Sequence, residues 1–347
     1  MNSEVAPPLL AFFASRVGIL TLSERSRGSH PARNCRKASM NSSPANRLLA
    51  PTISVPMRPH KTPRCQNLGE FLATVEKIRN SWGSGDDEPL WFRGERSEFS
   101  FCSLVPALYR GVCTRKKVRS NVLEELLQVE VSLFGDFRRR AAPLCDRLPE
   151  DDWEWYFLMQ HYGGPTRLLD FSEGSLLALH FAIRQYPNAK GDAVVHLVDP
   201  AWLKERLDRE SEHYDDVQGT WAEFCERQTE RDQKQWQEIY LPQSGDERPQ
   251  VPLPGIPLIW EPVHITRRFG AQRSQFLVFG SEPRWLADLA SDGDARLSAI
   301  IVPQQAIPTI KSQLRTAGIT ESVIFPDLDG LGRELNQVWV DKQELVS

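Results

Sequence analysis

Proline placement constrains this chain more than any other feature. Pro7, Pro8, Pro31, Pro44, Pro51, Pro56, Pro59 and Pro63 break every candidate element before Gln66, because proline lacks an amide donor and clashes with the preceding helical turn. Ser, Arg and Ala are abundant there, and no helical or strand period is sustained. Such a segment buries too little apolar surface to offset its ordering entropy. It holds ten Lys and Arg against Glu4 and Glu24, a net of +8, so the remaining 281 of 347 residues carry −12 within an overall −4. Residues 1–66 read as a disordered basic tail, or as an over-extended start with Met40 or Met57 as initiator. The acid-poor, Arg- and Ser-rich composition is also that of a transit peptide.

Regular patterning begins at Asn67. Leu68, Phe71, Leu72, Val75 and Ile78 predict a helix before the Gly83–Asp87 turn, and Pro89–Gly94 a short strand. Val122, Leu126, Val129, Leu133, Phe134 and Phe137 fall on one stripe of a helix over Asn121–Arg140. A further helix carries Trp153, Phe157, Leu158 and His161 and stops at Gly163-Gly164-Pro165. Leu168–Phe171 is short and apolar, Glu173–Arg184 helical, and Asp192–Val198 a buried strand. Pro200–Glu238, dense in charge, Gln and Trp, reads as exposed charged helices inserted into the domain. The prolines between Pro242 and Pro262 then exclude a helix or a central strand. Gln275–Gly280, Leu297–Pro303 and Val323–Phe325 read as strands, and Gln304–Ala317 as a helix. Interleaved elements without a Gly-rich strand-to-helix turn predict an α+β fold, a mixed sheet with packed helices, over a doubly wound one. The domain spans 67–335, with the helical insertion at about 200–240 and a C-terminal tail over 336–347.

Composition removes several function classes. The longest apolar stretch, Pro7–Leu22, contains Ser15 and Arg16 and falls short of the ~20 apolar residues of a membrane span. Six cysteines occur without a CxxC pair and seven histidines without HxxxH or HExxH. No metal site is expected, and free thiols suit a reducing, cytoplasmic setting. An acidic body repels phosphate backbones, so nucleic acid is not an expected partner.

Three clusters can carry chemistry. In Trp91-Phe92-Arg93-Gly94, the guanidinium of Arg93 offers a planar fork for phosphate or carboxylate, and Gly94 permits a close backbone approach. Its alternative is a salt bridge locking the strand end. The segment from Gln160 to Ser172 gathers His161, Thr166, Arg167, Asp170 and Ser172 around a glycine turn between apolar elements. Each also has a bland role: His161 as a helix C-terminal cap, Asp170 or Ser172 as N-cap of the next helix, Arg167 as partner of Asp170. The third, Arg267–Phe276, holds Arg268, Gln272 and Arg273 beside small residues.

In this order the clusters resemble the FRG domain, a family with an aromatic-Arg-Gly signature. Trp91-Phe92-Arg93-Gly94 is similar to its opening, with Leu104–Arg110 following. Gln160-His161-Tyr162-Gly163 through Asp170 is similar to its central segment, and Phe325-Pro326-Asp327-Leu328-Asp329-Gly330-Leu331 to its closing one. The resemblance runs from about Asn67 to Gly332. Phe171-Ser172 stands where the family has Trp-Thr, and Ser274 where it has Gly. A weaker similarity in motif order links the chain to ADP-ribosyltransferases of the arginine–glutamate type: Phe92-Arg93-Gly94, then Asp170-Phe171-Ser172, then Ala178–Phe181. There, Gln272 or Gln275 occupies the place of the catalytic Glu, and an amide cannot carry the charge that stabilises an oxocarbenium-like transition state.

Two functions follow as expectations. One is a cleft for an NAD-like nucleotide, with NAD as the suspected substrate and an ADP-ribosyltransferase-like activity lacking the usual Glu. Arg93 and Arg268 then hold phosphate, His161, Thr166 and Arg167 line the pocket, Asp170 or Ser172 orients ribose, and Gln272 sits near the scissile bond. Arg93, His161 and Gln272 are its catalytic candidates. The other is a non-catalytic module for a protein partner, using Trp202, Trp221 and Trp236 as a contact surface.

Overall fold

The computed structural model describes residues 62–85, 89–96, 102–113, 120–145, 147–188, 191–217, 238–242, 253–260, 271–290 and 295–339. All of them lie in one compact unit, Thr52–Ser347. The basic segment before residue 62, Arg268, Trp221, Trp236 and the tail beyond Trp339 lie outside the described residues.

Six strands form one antiparallel sheet: β1 (Trp91–Arg96), β2 (Leu168–Ser172), β3 (Ala193–Val198), β4 (Leu258–Trp260), β5 (Ser274–Val278) and β6 (Leu297–Val302), in the order β4-β5-β2-β1-β3-β6. The proline-flanked β4 sits at an edge, where missing amide donors are tolerated. Helices α1 (Leu68–Trp82), α2 (Ser120–Ala141), α3 (Asp152–His161), α4 (Ser175–Ile183), α5 (Pro200–Val217), α6 (Trp285–Leu289), α7 (Ile307–Thr316), α8 (Glu321–Ile324) and α9 (Leu328–Trp339) complete the α+β fold. None of the described helices is long and apolar enough to cross a membrane.

Strand alternation sends side chains to two faces. On the first face Trp91, Phe171, Val198 and Leu277 pack with Leu104, Tyr109, Trp202, Leu203 and Leu286. The second face is covered by two separate groups. Phe71 of α1, Leu179 and Ile183 of α4 and Ile310 of α7 pack on Phe92, Val195, Leu197 and Ile300. Phe134 of α2 and Trp153, Tyr156 and Phe157 of α3 pack on Leu168, Phe276 and Val278. The boundary between these groups falls between β2 and β1, in the middle of the sheet.

Local signals explain where the helices begin and end. Asn67 caps α1 by accepting from the Glu70 amide at 2.9 Å, while Glu70 accepts from the Gln66 amide at 2.8 Å. Asp151 does the same for α3. That helix stops at Gly163, whose φ of 81° is left-handed, with the Gly164 amide returning to the Met159 carbonyl at 2.8 Å. Helix α4 crosses β1 at Gly94, where an added Cβ would lie 1.9 Å from the Ala178 carbonyl oxygen. The backbone approach that Gly94 permits is therefore that of α4.

Three expectations are corrected. Val323–Phe325 is not a strand: Val323 and Ile324 lie in the short helix α8, whose Glu321 is buried against other elements, so tertiary contacts override β-branched propensity. Neither Asp170 nor Ser172 caps α4; its N-cap is Gly174. The segment from Pro200 is not wholly exposed, because Trp202, Leu203 and Leu207 of α5 enter the core, and the Asp199 carboxylate accepts from the Ala201 and Trp202 amides at the start of that helix.

Candidate functional site

The middle of the sheet is incompletely zipped. β1 and β2 share a single register pair, Phe92 with Ser172. Arg93 bridges them beyond it. Its Nη1 donates to the Asp170 carbonyl at 2.7 Å and lies 3.0 Å from Asp170 Oδ1, and its Nε donates to Glu95 Oε1 at 2.9 Å. Arg93 and Glu95 are 8% and 4% exposed, whereas the Asp170 side chain is 53% exposed. Asp170 thus sits on the second face where neither helical group covers it, a carboxylate facing solvent on a buried guanidinium.

From the other side Gln160, in the last turn of α3, donates its Nε2 to Asp170 Oδ1 at 3.2 Å. Its Oε1 accepts from the buried Thr166 hydroxyl, which in turn accepts from the Leu168 amide at 3.2 Å. Asp170 Oδ2 has no hydrogen-bond partner among the described residues. Burial works against ionisation of Asp170, but the charge and hydrogen bond of Arg93 outweigh it and hold the carboxyl below its usual range. The carboxylate is ionised at neutral pH.

Behind Arg93 the charge network closes inside the protein. Glu95 Oε2 accepts from Ser103 Oγ at 2.6 Å and lies 3.3 Å from His196 Nε2, and the Leu104 amide donates to Oε1 at 3.1 Å. Burial again opposes ionisation; the His196 hydrogen bond and the Arg93 charge prevail, and the Glu95 pKa is depressed. Leu104 holds φ 58°, a left-handed conformation costly for a branched residue, and its amide is thereby committed to Glu95. Ser103 and His196 have the composition of a nucleophile and base, at 2.8 Å. The same Nε2 faces both Ser103 and Glu95, so no relay runs from carboxylate through imidazole to hydroxyl. Arg110 is half-buried near Arg93; desolvation and then that neighbouring charge lower its pKa.

The candidates divide into three sets. Arg93, Thr166 and Asp170 meet through Gln160. Ser172 stands two residues along β2 on the same face as Asp170, about 7 Å away at the strand rise. Its hydroxyl donates to the Gln272 carbonyl at 2.8 Å, and Gln272 Nε2 donates to the Ile324 carbonyl at 3.4 Å. Gln275 Nε2 donates to Glu173 Oε1 at 3.0 Å, and its buried Oε1 lacks a partner among the described residues. His161 follows Gln160, part-exposed against the Tyr162 ring.

Arg167 stands apart, and its partner is not Asp170. It is 2% exposed, with Nε on Glu130 Oε2 at 2.6 Å, Nη1 on the Phe279 carbonyl at 2.9 Å and Nη2 on the Tyr240 carbonyl. Glu130 also accepts from the Tyr156 hydroxyl and the Arg167 amide. Arg167 ties α2, α3 and the start of β2 together.

Sequence reasoning passed over Glu95, Gln160, Ser103, His196, Glu130 and Arg110. Glu95 was within reach, since residues two apart on a strand share a face. So were His196 and Glu130, single polar residues inside apolar patterns.

Residues 88–191 match the FRG domain. The chain carries an FRG domain. The matched span runs from just before β1 to just before β3, and so holds Arg93, Gln160, Thr166, Asp170 and Ser172. The later strands and the Phe325–Leu331 segment lie beyond it. Neither a curated protein nor a solved structure gives a match.

Proposed function

We propose that the FRG domain binds a ribose-bearing nucleotide of the NAD type at Asp170. The observation that carries this reading is the half-exposed, ionised carboxylate between the two helical groups. Its Oδ1 is fixed by Arg93 and Gln160, and its Oδ2 is unpartnered among the described residues. A fixed carboxylate is a strong acceptor for ribose hydroxyls, as in dinucleotide-binding folds generally. Arg93 Nη2, without a partner among the described residues, is the nitrogen left to meet a phosphate. Ser172 extends the polar floor along β2. The residues support binding before transfer. Gln272 and Gln275 offer amides where a transferase needs a carboxylate, and the carboxylate beside Gln275 is Glu173.

Thermal melting of the full chain with NAD, ADP-ribose or nicotinamide tests the reading. NAD and ADP-ribose should raise the melting temperature of the parent, because a ligand binding only the folded state stabilises it, and nicotinamide should not. Asp170→Asn keeps the side-chain shape and should lose the rise. A parent unmoved by either nucleotide, or an equal rise in the variant, would count against the site.

A further inference from the structure

Helix α9 is packed the wrong way out for a helix of a folded body. Its apolar residues Leu328, Leu331, Leu335 and Trp339 are 86%, 43%, 48% and 68% exposed. At 100° per residue they form one stripe, with the spacing of a helix–helix seam. The opposite, polar side faces the protein. Gly330 is buried, and a Cβ there would lie 2.0 Å from the Phe325 carbonyl oxygen. Arg333 Nε donates to the buried Glu321 at 2.9 Å, and Glu334 accepts from the Ser322 amide at 2.8 Å. Glu321 also engages His180 at 3.1 Å and Arg184 at 3.3 Å, so this orientation is anchored to α4 by ion pairs. Val323, on the adjoining α8, adds a further exposed apolar side chain.

An apolar stripe presented this way marks a surface that another element covers. Charge indicates what kind. The one cation of α9, Arg333, is turned inward to Glu321, while Asp329 lies beside the stripe and Glu334, at its other margin, stays charged although it accepts from the Ser322 amide. A second copy would bring a second set of those carboxylates to the same seam, whereas Lys or Arg there would be attracted. We propose that the outward face of α9 docks an amphipathic helix of a partner protein, its apolar side on Leu328, Leu331, Leu335 and Trp339 and its flanks basic. This surface is independent of the nucleotide reading.

Calorimetry on the full chain tests it with two synthetic peptides of about 18 residues, long enough for a marginal helix. Both carry the same Leu seam, one with Lys on its flanks and the other with Glu. The Lys peptide should bind at one to one and at least about tenfold more tightly than the Glu peptide, a preference that salt erodes. The double variant Leu331→Asn/Leu335→Asn alters exposed side chains only, so it should melt with the parent and lose the binding. Equal affinity for the two peptides, binding by neither, or binding that survives in the variant would overturn the proposal. So would a parent chain that sediments as a dimer while the variant is a monomer, because the occupant would then be a second copy.

Discussion

Replacing Arg93 with alanine removes the guanidinium that joins Glu95 inside the protein to Asp170 at its surface. Both partners of the inner pair are buried, at 8% and 4% exposure, and 2.9 Å apart. The variant leaves Glu95 with Ser103, His196 and the Leu104 amide but without its fixed cation. Breaking a buried pair on one side costs about 3–5 kcal/mol. In a protein of this size that is a fall of about 5–8 °C in melting temperature. Arg93→Lys should recover less than half, because one ammonium cannot reproduce a planar fork reaching Glu95 and Asp170 in different directions. Adding Glu95→Gln to Arg93→Ala removes the stranded charge and should restore about 1–3 kcal/mol, the coupling that a double-mutant cycle reads. Asp170→Asn, at the exposed end, should cost about 1 kcal/mol or less. Urea denaturation followed by circular dichroism measures all four. If Arg93→Ala stayed within about 1 kcal/mol of the parent, the account of Arg93 as the link between core and surface would be wrong.

Two further outcomes follow from the packing around α4. Gly94→Ala should destabilise by about 1–3 kcal/mol or more, since the new Cβ meets the Ala178 carbonyl at 1.9 Å and the Ala182 amide nitrogen at 2.7 Å, backbone atoms that cannot rotate away; an unchanged denaturation midpoint would refute it. Glu321 is buried, but its His180, Arg184 and Arg333 partners bring its carboxyl down to about 2. A depressed carboxyl contributes stability that is complete above its unfolded value and lost as pH falls toward its folded one. The protein should therefore lose stability between about pH 4.5 and pH 2, and Glu321→Gln should flatten that slope. Equal acid profiles would show that the pair contributes nothing.

The helices and most strands were legible because their signals are local. The stripe from Val122 to Phe137, the Gly163 stop and the apolar runs of β3 and β6 require no distant partner. Val323–Phe325 misled for the same reason: a β-branched pair and an aromatic look like a strand until Glu321, buried against His180 and Arg333, holds the turn helical. The polar cluster around Gly163 was visible, but its wiring was not. Arg167 finds Glu130, and Asp170 finds Arg93, across 37 and 77 residues of chain. Spacing carries no record of such pairings. Trp202 illustrates the same limit, since a charged helix gives little sign that its first turns are core.

Calorimetric titration of ADP-ribose into the parent and into Asp170→Asn tests the proposal that Asp170 presents a carboxylate to a ribose. Hydrogen bonds to a charged group contribute about 1.5–3 kcal/mol, so the variant should bind about 10- to 150-fold more weakly while melting close to the parent. Equal affinity in the two proteins, or no heat of binding in the parent, would contradict the claim.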